Sequence, residues 1–173
     1  SLWKGEHENR ILFTAGPNLW ALDAKTGKVI TSFGTSGKVD LHEGLPKIAQ
    51  GKFIISNTPG TIYKNLIIMP VRLSEGADAA PGDLRAFDVI TGKIAWTFHT
   101  IPYPGEFGYS TWPKDAYKNE YVGAANNWAG MAVDEKRGII FVPTGSAGYD
   151  FWGGNRKGQN LFANCLLALD ANT

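Results

Sequence analysis

A twelve-residue phrase that recurs along the chain limits the possible folds more than any other feature. It reads LWALDAKTGKVI at 19–30 and LRAFDVITGKIA at 84–95, and its first two-thirds return as LLALDANT at 166–173. A phrase that recurs along a chain is typical of architectures in which each copy belongs to one supersecondary unit. We therefore expect about three copies of one structural unit in these 173 residues.

Each phrase predicts a β-hairpin. Apolar residues alternate before the aspartate, which is the pattern of a strand. The segment Asp-x-x-Thr-Gly predicts a turn, because the aspartate side chain can accept hydrogen bonds from the following backbone and glycine readily adopts positive φ. A second strand follows the turn, at 28–33 in the first copy and at 93–100 in the second.

A second hairpin precedes each phrase. GMAVDEKRGIIFVPT at 130–144 reads as strand, charged turn and strand, TIYKNLIIM at 61–69 repeats this with a shorter turn, and EHENRILFT at 6–14 looks like the remnant of a third. The sequence thus predicts an all-β chain, a β-propeller of four-stranded antiparallel blades. The approximate blades are 1–34, 55–100 and 127–173.

Turn lengths predict which end of the blades carries a binding site. The tight turns all join the first strand to the second or the third to the fourth, so they lie at one end of an up-and-down blade. The long connections all lie at the other end, at 34–55, 72–83, 101–127 and 146–163. Because loops on a rigid scaffold carry function, we expect the site at the loop-bearing end.

Composition excludes several classes of protein. With 43% hydrophobic and 19% charged residues the chain should be globular, and a net charge of +1 predicts no nucleic-acid partner. The opening SLWKGEHENR lacks a start methionine and the apolar core of a signal peptide, and the third phrase stops before its glycine, so we expect a fragment of a longer protein. The single cysteine, Cys165, allows no internal disulfide and should be a small core residue.

Several stretches resemble one enzyme family. Ala-x-Asp-x-x-Thr-Gly-Lys-x-x-Trp, complete from Ala86 to Trp96, resembles the tryptophan-docking repeat of dehydrogenases that depend on pyrroloquinoline quinone (PQQ), in which the indole packs between blades; the first copy has Thr31 in place of this tryptophan. The segments 80–112, 128–171 and 33–41 are similar to quinoprotein glucose dehydrogenases and related sugar or alcohol dehydrogenases. The resemblance implies an eight-bladed propeller, of which this chain would supply about three blades.

The resemblance also implies a cofactor site. It puts Trp128 under the quinone ring, where a flat indole can stack, and makes Glu75 a Ca²⁺ ligand. Without the resemblance, Trp128 would be a core residue at a blade edge and Glu75 a solvated loop residue. Arg72 and Ser74, which flank Glu75, are plausible partners for the carboxylates of PQQ, although Arg72 could equally be a surface charge.

Three further residues complete the expected site. Ser146 occupies the position at which many relatives have an asparagine metal ligand, and since serine is a weaker ligand, Asp150 or a water could substitute for it. Asn57 and Thr58 could reach a cofactor carboxylate, and turn or capping roles are the alternative.

Taken together, the resemblance implies a periplasmic dehydrogenase with PQQ and Ca²⁺ as cofactors. It would oxidise a sugar or alcohol hydroxyl and pass electrons to a quinone or cytochrome, with membrane association only through parts outside this chain. The catalytic aspartate of the family lies in a later blade, so we assign no catalytic residue here and expect this chain alone to be inactive. The alternative is a non-catalytic propeller that serves as an assembly scaffold, which would keep the hairpins but would have no reason to direct Glu75 and Trp128 towards one pocket.

Overall fold

A computed structural model describes residues 1–173 and shows an almost entirely β chain. The strands are β1 (Leu2–Lys4), β2 (Asn9–Ala15), β3 (Asn18–Asp23), β4 (Lys38–Asp40), β5 (Ile54–Ile55), β6 (Thr61–Tyr63), β7 (Leu66–Met69), β8 (Arg72–Leu73), β9 (Leu84–Asp88), β10 (Ile94–Phe98), β11 (Gly123–Ala124), β12 (Ala132–Asp134), β13 (Ile139–Pro143), β14 (Ala147–Gly148) and β15 (Leu166–Asp170). Three short 3-10 turns lie at Lys47–Ala49, Tyr109–Thr111 and Ala116–Lys118. The structure contains no helix with the length and apolar character needed to cross a membrane.

The strands form three main antiparallel sheets. Sheet 1 has the order β1-β2-β3-β4, sheet 2 the order β6-β7-β9-β10, and sheet 3 the order β12-β13-β15. Two shorter ladders, β5 with β8 and β11 with β14, join loop segments. The predicted all-β fold with four-stranded antiparallel sheets is therefore confirmed, whereas the division into blades at 1–34, 55–100 and 127–173 stays a prediction.

The fourth strand of sheet 1 differs from the prediction at 28–33, which was wrong. Val29 makes only an isolated bridge to Leu22, and the sheet is completed further along the chain by β4, which pairs with the first half of β3. The reason is tertiary, because Phe33 is fully buried in the core and the chain must leave the sheet edge to insert it. Gly34 and Gly37, with φ of 54° and 91°, then turn the chain back.

The Asp-x-x-Thr-Gly turns have the predicted form in both complete copies. Asp23 Oδ1 accepts hydrogen bonds from the Thr26 N–H and hydroxyl, both at 2.7 Å. Asp88 Oδ1 does the same with Thr91, at 2.7 and 2.8 Å. In each turn the glycine N–H donates to the aspartate carbonyl at 2.8 Å, which closes the hairpin.

Sheet 2 packs between the other two sheets. From β7, Ile67 and Met69 join a core with sheet 1, whereas Ile68 faces the opposite way and joins a core with sheet 3. This explains why β7 is apolar at every position, since a strand buried on both faces has no polar side. A third apolar cluster, formed by the loops 101–127 and 146–163 and flanking residues, lies at the loop-bearing end.

The docking tryptophan lies where the resemblance predicted. Trp96 packs against the core between sheets 2 and 3, and its Nε1 donates to the carbonyl of Ala171 at 3.2 Å. At the junction of sheets 1 and 2, where Thr31 replaces the tryptophan, buried Arg10 donates to the carbonyls of Val89 and Ile90 at 3.1 and 2.9 Å. Val89 and Ala171 each follow the repeat aspartate, so Arg10 binds the carbonyl that corresponds to the one bound by Trp96.

Candidate functional site

A cavity of about 430 Å³ opens at the loop-bearing end, where strands of sheets 2 and 3 end. Every site residue expected from the sequence lines it: Asn57, Thr58, Arg72, Ser74, Glu75, Trp128 and Ser146. The charged turn at 134–138 lies at the opposite end of β13 from Ser146. The structure thus brings these residues together at the end that the turn lengths predicted, while the chemical role of each stays a prediction.

Two short ladders bring the loop segments to the cavity. β5 pairs with β8, so the segment 56–58 that follows β5 lies beside Arg72 and the residues just before it. β11 pairs with β14, so the segment after β11, which leads to Trp128, lies beside Ser146. Both ladders are fixed by backbone hydrogen bonds, and they therefore act as a rigid frame for otherwise irregular loops.

Trp128 presents an open aromatic surface to the cavity. Its side chain is exposed over 61% of its area, which is unusual for a large aromatic residue. The Thr58 hydroxyl donates to the Trp128 carbonyl at 2.7 Å and fixes the backbone that carries the indole. Gly145 lies close beside the indole, and a Cβ there would be 3.2 Å from Nε1, so a larger residue would crowd the ring.

Glu75 and Arg72 supply opposite charges on one loop. Both side chains are exposed, and between them buried Leu73 anchors the segment to the core. Ser74 donates its hydroxyl proton to Asp78 Oδ1 at 2.6 Å, and this hydrogen bond lowers the pKa of Asp78. Ser74 therefore stabilises the loop through Asp78, and its expected contact with a cofactor stays a prediction.

Ser146 and Asp150 form a hydrogen-bonded pair within the loop 146–163, across the cavity from the loop of Glu75. The Ser146 hydroxyl donates to Asp150 Oδ1 at 2.7 Å, and both residues line the cavity. The backbone N–H of Asp150 makes a long hydrogen bond of 3.5 Å to the carbonyl of Glu75. The two acidic residues of the cavity are thus carried by backbone segments that contact each other.

The sequence interpretation missed Asn126. Its side chain is buried, lines the cavity and donates to the Val71 carbonyl at 2.5 Å, while the Val71 N–H donates to the Asn127 carbonyl at 2.8 Å. This reciprocal pair ties the segment before Trp128 to the segment before Glu75. The signal that could have revealed it is the polar pair Asn126–Asn127 in the otherwise small and apolar run before Trp128.

Two alanines in the left-handed region orient this segment. Ala124 and Ala125 both have φ of 55°, a conformation that costs about 1 kcal/mol or more for a residue with a Cβ. Backbone hydrogen bonds compensate, since the Ala124 N–H donates to the Ala80 carbonyl at 2.8 Å and the Ala125 N–H to the Ser146 carbonyl at 3.0 Å. The tight bend directs Asn126 and Trp128 to the cavity.

A second polar cluster lies at the same end, outside the cavity lining. Asp83 is 2% exposed, and its Oδ1 has no hydrogen-bond partner. Burial raises the pKa of this carboxyl to about 6, against the opposing influence of His99 and Arg85. His99 stacks on Tyr103 with a ring separation of 3.9 Å and hydrogen-bonds Glu106 at 2.8 Å, which fixes the start of loop 101–127.

The chemistry of the lining suits a hard cation and a planar anion. Carboxylate, hydroxyl and amide oxygens from Glu75, Asp150, Ser146 and Asn126 are the donors that Ca²⁺ prefers. No three His, Cys, Asp or Glu side chains cluster to form a self-contained metal site, so a cation here would also need oxygens from a ligand or solvent. The Trp128 indole can stack on a flat ring and Arg72 can pair with a carboxylate. The residues therefore fit both groups implied by the resemblance.

Comparison with known proteins gives a consistent family. The family model described as "PQQ: Glucose/ethanol/alcohol dehydrogenase, beta-propeller domain" matches residues 1–173. The quinate/shikimate dehydrogenase (quinone) of Acinetobacter baylyi is 37% identical over 164 residues, covering 92% of this chain and 20% of that protein. Quinoprotein glucose dehydrogenase A of Acinetobacter calcoaceticus is 33% identical over 158 residues, covering 90% of this chain and 19% of that protein.

A solved structure supports the fold. The quinohemoprotein alcohol dehydrogenase ADHIIG of Pseudomonas putida HK5 superimposes with a TM-score of 0.73 at 23% identity, covering 99% of this chain and 25% of that one. The four-stranded sheets are therefore propeller-type blades. The chain spans about a fifth of the length of the two curated relatives just described.

Proposed function

Because this chain belongs to the PQQ family of glucose/ethanol/alcohol dehydrogenase β-propeller domains, we propose that it contributes one wall of a PQQ- and metal-binding dehydrogenase site. The observation that supports the proposal most strongly is the shared cavity. Side chains from four separate segments, all singled out by their chemistry, line one space of about 430 Å³. A scaffold protein would have no reason to keep an exposed indole and an exposed carboxylate facing the same space.

Different residues of the cavity are proposed to contact different parts of the cofactor. The exposed indole of Trp128 provides a stacking surface, whereas the partly buried docking tryptophan Trp96 packs against the core between sheets 2 and 3. The guanidinium of Arg72 and the amide of Asn57 are available for carboxylates at the ring edge. Thr58 positions Trp128 indirectly, because its hydroxyl donates a hydrogen bond to the Trp128 carbonyl.

Glu75 supplies the charge for a metal ion, which we propose to be Ca²⁺. PQQ, when bound, would supply the acceptor for the two electrons of the substrate, and the metal ion would polarise the accepting carbonyl as a Lewis acid. Glu75 would hold this ion with its exposed carboxylate, and the β5–β8 ladder fixes the backbone just before it. Pre-organised charge of this kind avoids reorganisation during the reaction.

We propose the chemical class of the substrate and of the electron acceptor from the names of the relatives. The names of the two relatives refer to quinate/shikimate with a quinone and to glucose, and the family description adds ethanol and alcohol. We therefore propose a sugar or alcohol hydroxyl as the group oxidised and a quinone or cytochrome as the electron acceptor. A periplasmic location is proposed from the family resemblance alone. No catalytic base is assigned to this chain, and the expectation that the chain alone does not turn over substrate stays a prediction.

Cofactor titration tests the proposal. Binding of PQQ in the presence of Ca²⁺ should quench the fluorescence of exposed Trp128 and should saturate. We expect Trp128→Ala to weaken PQQ affinity by about tenfold, the loss of about 1–1.5 kcal/mol of stacking. Glu75→Ala should make PQQ affinity insensitive to added Ca²⁺. Unchanged affinity in both variants would favour the scaffold alternative.

The control variant is Phe107→Ala, which removes an aromatic ring that is more exposed than Trp128 at 80%, but that does not line the cavity. It should leave PQQ affinity unchanged. A loss equal to that of Trp128→Ala would mean that binding is non-specific.

A further inference from the structure

We propose that Asp150, rather than Ser146, is the metal ligand that the loop after β13 contributes, so that the site carries two carboxylates. The proposal deepens the function proposed above and rests on it. The sequence left Asp150 and a water as two possible substitutes for Ser146, and contacts in the structure favour Asp150.

The first argument is the hydrogen bond within the pair. The Ser146 hydroxyl donates its proton to Asp150 Oδ1 at 2.7 Å, and Asp150 also lines the cavity. A donated proton points the hydroxyl at the carboxylate and orients that carboxylate in turn. Oδ2 of Asp150 remains available for a cation, so Ser146 acts as a positioning residue.

The second argument is the connection to Glu75. The Asp150 N–H makes its long hydrogen bond, 3.5 Å, to the Glu75 carbonyl, so the backbone segments that carry the two carboxylates meet. These acidic residues come from two separate chain segments, since Glu75 follows β8 of one short ladder and Asp150 follows β14 of the other. A cation between the side chains would join the two ladders at the loop-bearing end.

The third argument is charge. A hydroxyl is a neutral and weak ligand, whereas a second carboxylate adds a full negative charge to the oxygen set. The affinity of oxygen sites for Ca²⁺ is tuned by the number of charged ligands, and the Coulomb attraction also grows with the charge of the ion. Removing a ligating carboxylate should therefore weaken binding of a trivalent ion more than binding of a divalent ion.

Terbium luminescence provides a measurement independent of enzyme activity. Tb³⁺ prefers hard oxygen ligands as Ca²⁺ does, and its emission is sensitised by a nearby indole, here that of Trp128. We expect the purified chain to bind Tb³⁺ with sensitised emission, and Ca²⁺ to displace it. Trp128→Phe should abolish most of the emission without changing the affinity measured by calorimetry, which localises the ion to the cavity.

Variants of the pair test the proposed ligand. Asp150→Asn, at an exposed position, should weaken Tb³⁺ binding by about tenfold and lower the Tb³⁺/Ca²⁺ affinity ratio. Ser146→Ala should cause a smaller loss, and Ser146→Thr, which keeps the hydroxyl, should restore affinity. The matched control is Asp134→Asn, which removes a carboxylate at the end of sheet 3 that lies away from the cavity. This variant should change neither the Tb³⁺ affinity nor the Tb³⁺/Ca²⁺ affinity ratio.

The outcomes separate this inference from the proposed function. If Glu75→Gln weakens Tb³⁺ binding while Asp150→Asn behaves like Asp134→Asn, the second carboxylate is refuted and the proposed function stands. If Ser146→Ala weakens binding more than Asp150→Asn, the hydroxyl is the ligand and the inference is wrong. If neither Glu75→Gln nor Asp150→Asn has an effect, both the inference and the proposed metal position fail.

Discussion

At the scale of single residues, Asp83 is the side chain with the largest unexplained electrostatic cost. It is buried, and one of its carboxylate oxygens accepts no hydrogen bond. The nearest compensating charges are those of Arg85, itself 1% exposed, and His99 at the start of loop 101–127. Burial outweighs both influences and raises the pKa of Asp83 to about 6.

The raised pKa predicts that stability falls as pH rises through the range from about 4 to about 6. Below this range the carboxyl is protonated in both states, and within it the unfolded chain loses its proton first, which favours unfolding. Asp83→Asn should remove this dependence. Relative to the wild type, its free energy of unfolding should increase by about 2 kcal/mol between pH 4 and pH 7.

Urea unfolding at a series of pH values measures this difference. Asp78→Asn is the matched control, because a hydrogen bond from Ser74 lowers the pKa of Asp78 and its effect on stability therefore changes only below about pH 4. Its difference from the wild type should stay nearly constant between pH 4 and pH 7. If the curves of Asp83→Asn and wild type run parallel from pH 4 to pH 7, Asp83 is not the buried acid described here.

Single residues also show what the sequence could reveal about the site. The location of Trp128 and Glu75 at one end was predictable because turn lengths place their loops there, whereas their roles rest on the resemblance and stay predictions. Asn126 was not predictable, because its importance depends on a hydrogen bond to Val71, distant in sequence. The left-handed conformation of Ala124 and Ala125 is imposed by tertiary backbone hydrogen bonds, and no local signal in two alanines indicates it.

At the scale of elements, two different side chains connect neighbouring sheets by donating hydrogen bonds to backbone carbonyls across the junction. Trp96 fills the junction of sheets 2 and 3 and donates to Ala171, whereas Arg10 reaches across the junction of sheets 1 and 2 to Val89 and Ile90. Arg10 is 4% exposed and is neutralised by Glu8 at 2.6 Å. The turn motif was predictable because its hydrogen bonds are local, but this replacement was not, because Arg10 and Thr31 are far apart in sequence.

Removing the hydrogen bonds of Arg10 should weaken the junction of sheets 1 and 2. Arg10→Met keeps most of the apolar stem but leaves two carbonyls and Glu8 without their partner, so we expect a loss of about 2 kcal/mol in the free energy of unfolding. Thermal and urea unfolding measure it. The control is Arg137→Met, since Arg137 is exposed and its pair with Asp134 should be worth less than about 1 kcal/mol. Equal losses in the two variants would show that Arg10 contributes no more than a surface ion pair.

At the scale of the whole molecule, the outer sheets are apolar on both faces. On the outer face of sheet 1, Leu2, Ile11 and Leu22 are aligned across three strands, with Phe13 and Trp20 beside them. On the outer face of sheet 3, Phe141 and Leu166 are exposed. In a propeller these are the faces on which neighbouring blades pack, which agrees with the strand patterns but was not evident from alternation alone.

These faces predict that the purified chain associates with itself and binds hydrophobic dyes. Phe13 is 39% and Leu166 is 72% exposed, and burying such side chains between copies is worth about 1.5–3 kcal/mol each. The double variant Phe13→Thr/Leu166→Thr introduces polar β-branched residues, which favour strands, and should weaken association by at least about tenfold, as measured by sedimentation velocity over a concentration series. Phe151→Thr is the control, because Phe151 is 93% exposed but belongs to the loop 146–163 rather than to a sheet face. A wild-type chain that stays monomeric at all concentrations would mean that the sheet faces do not drive association. A control variant that weakens association as much as the double variant would mean the same, because the apolar sheet faces would then contribute no more than an exposed loop.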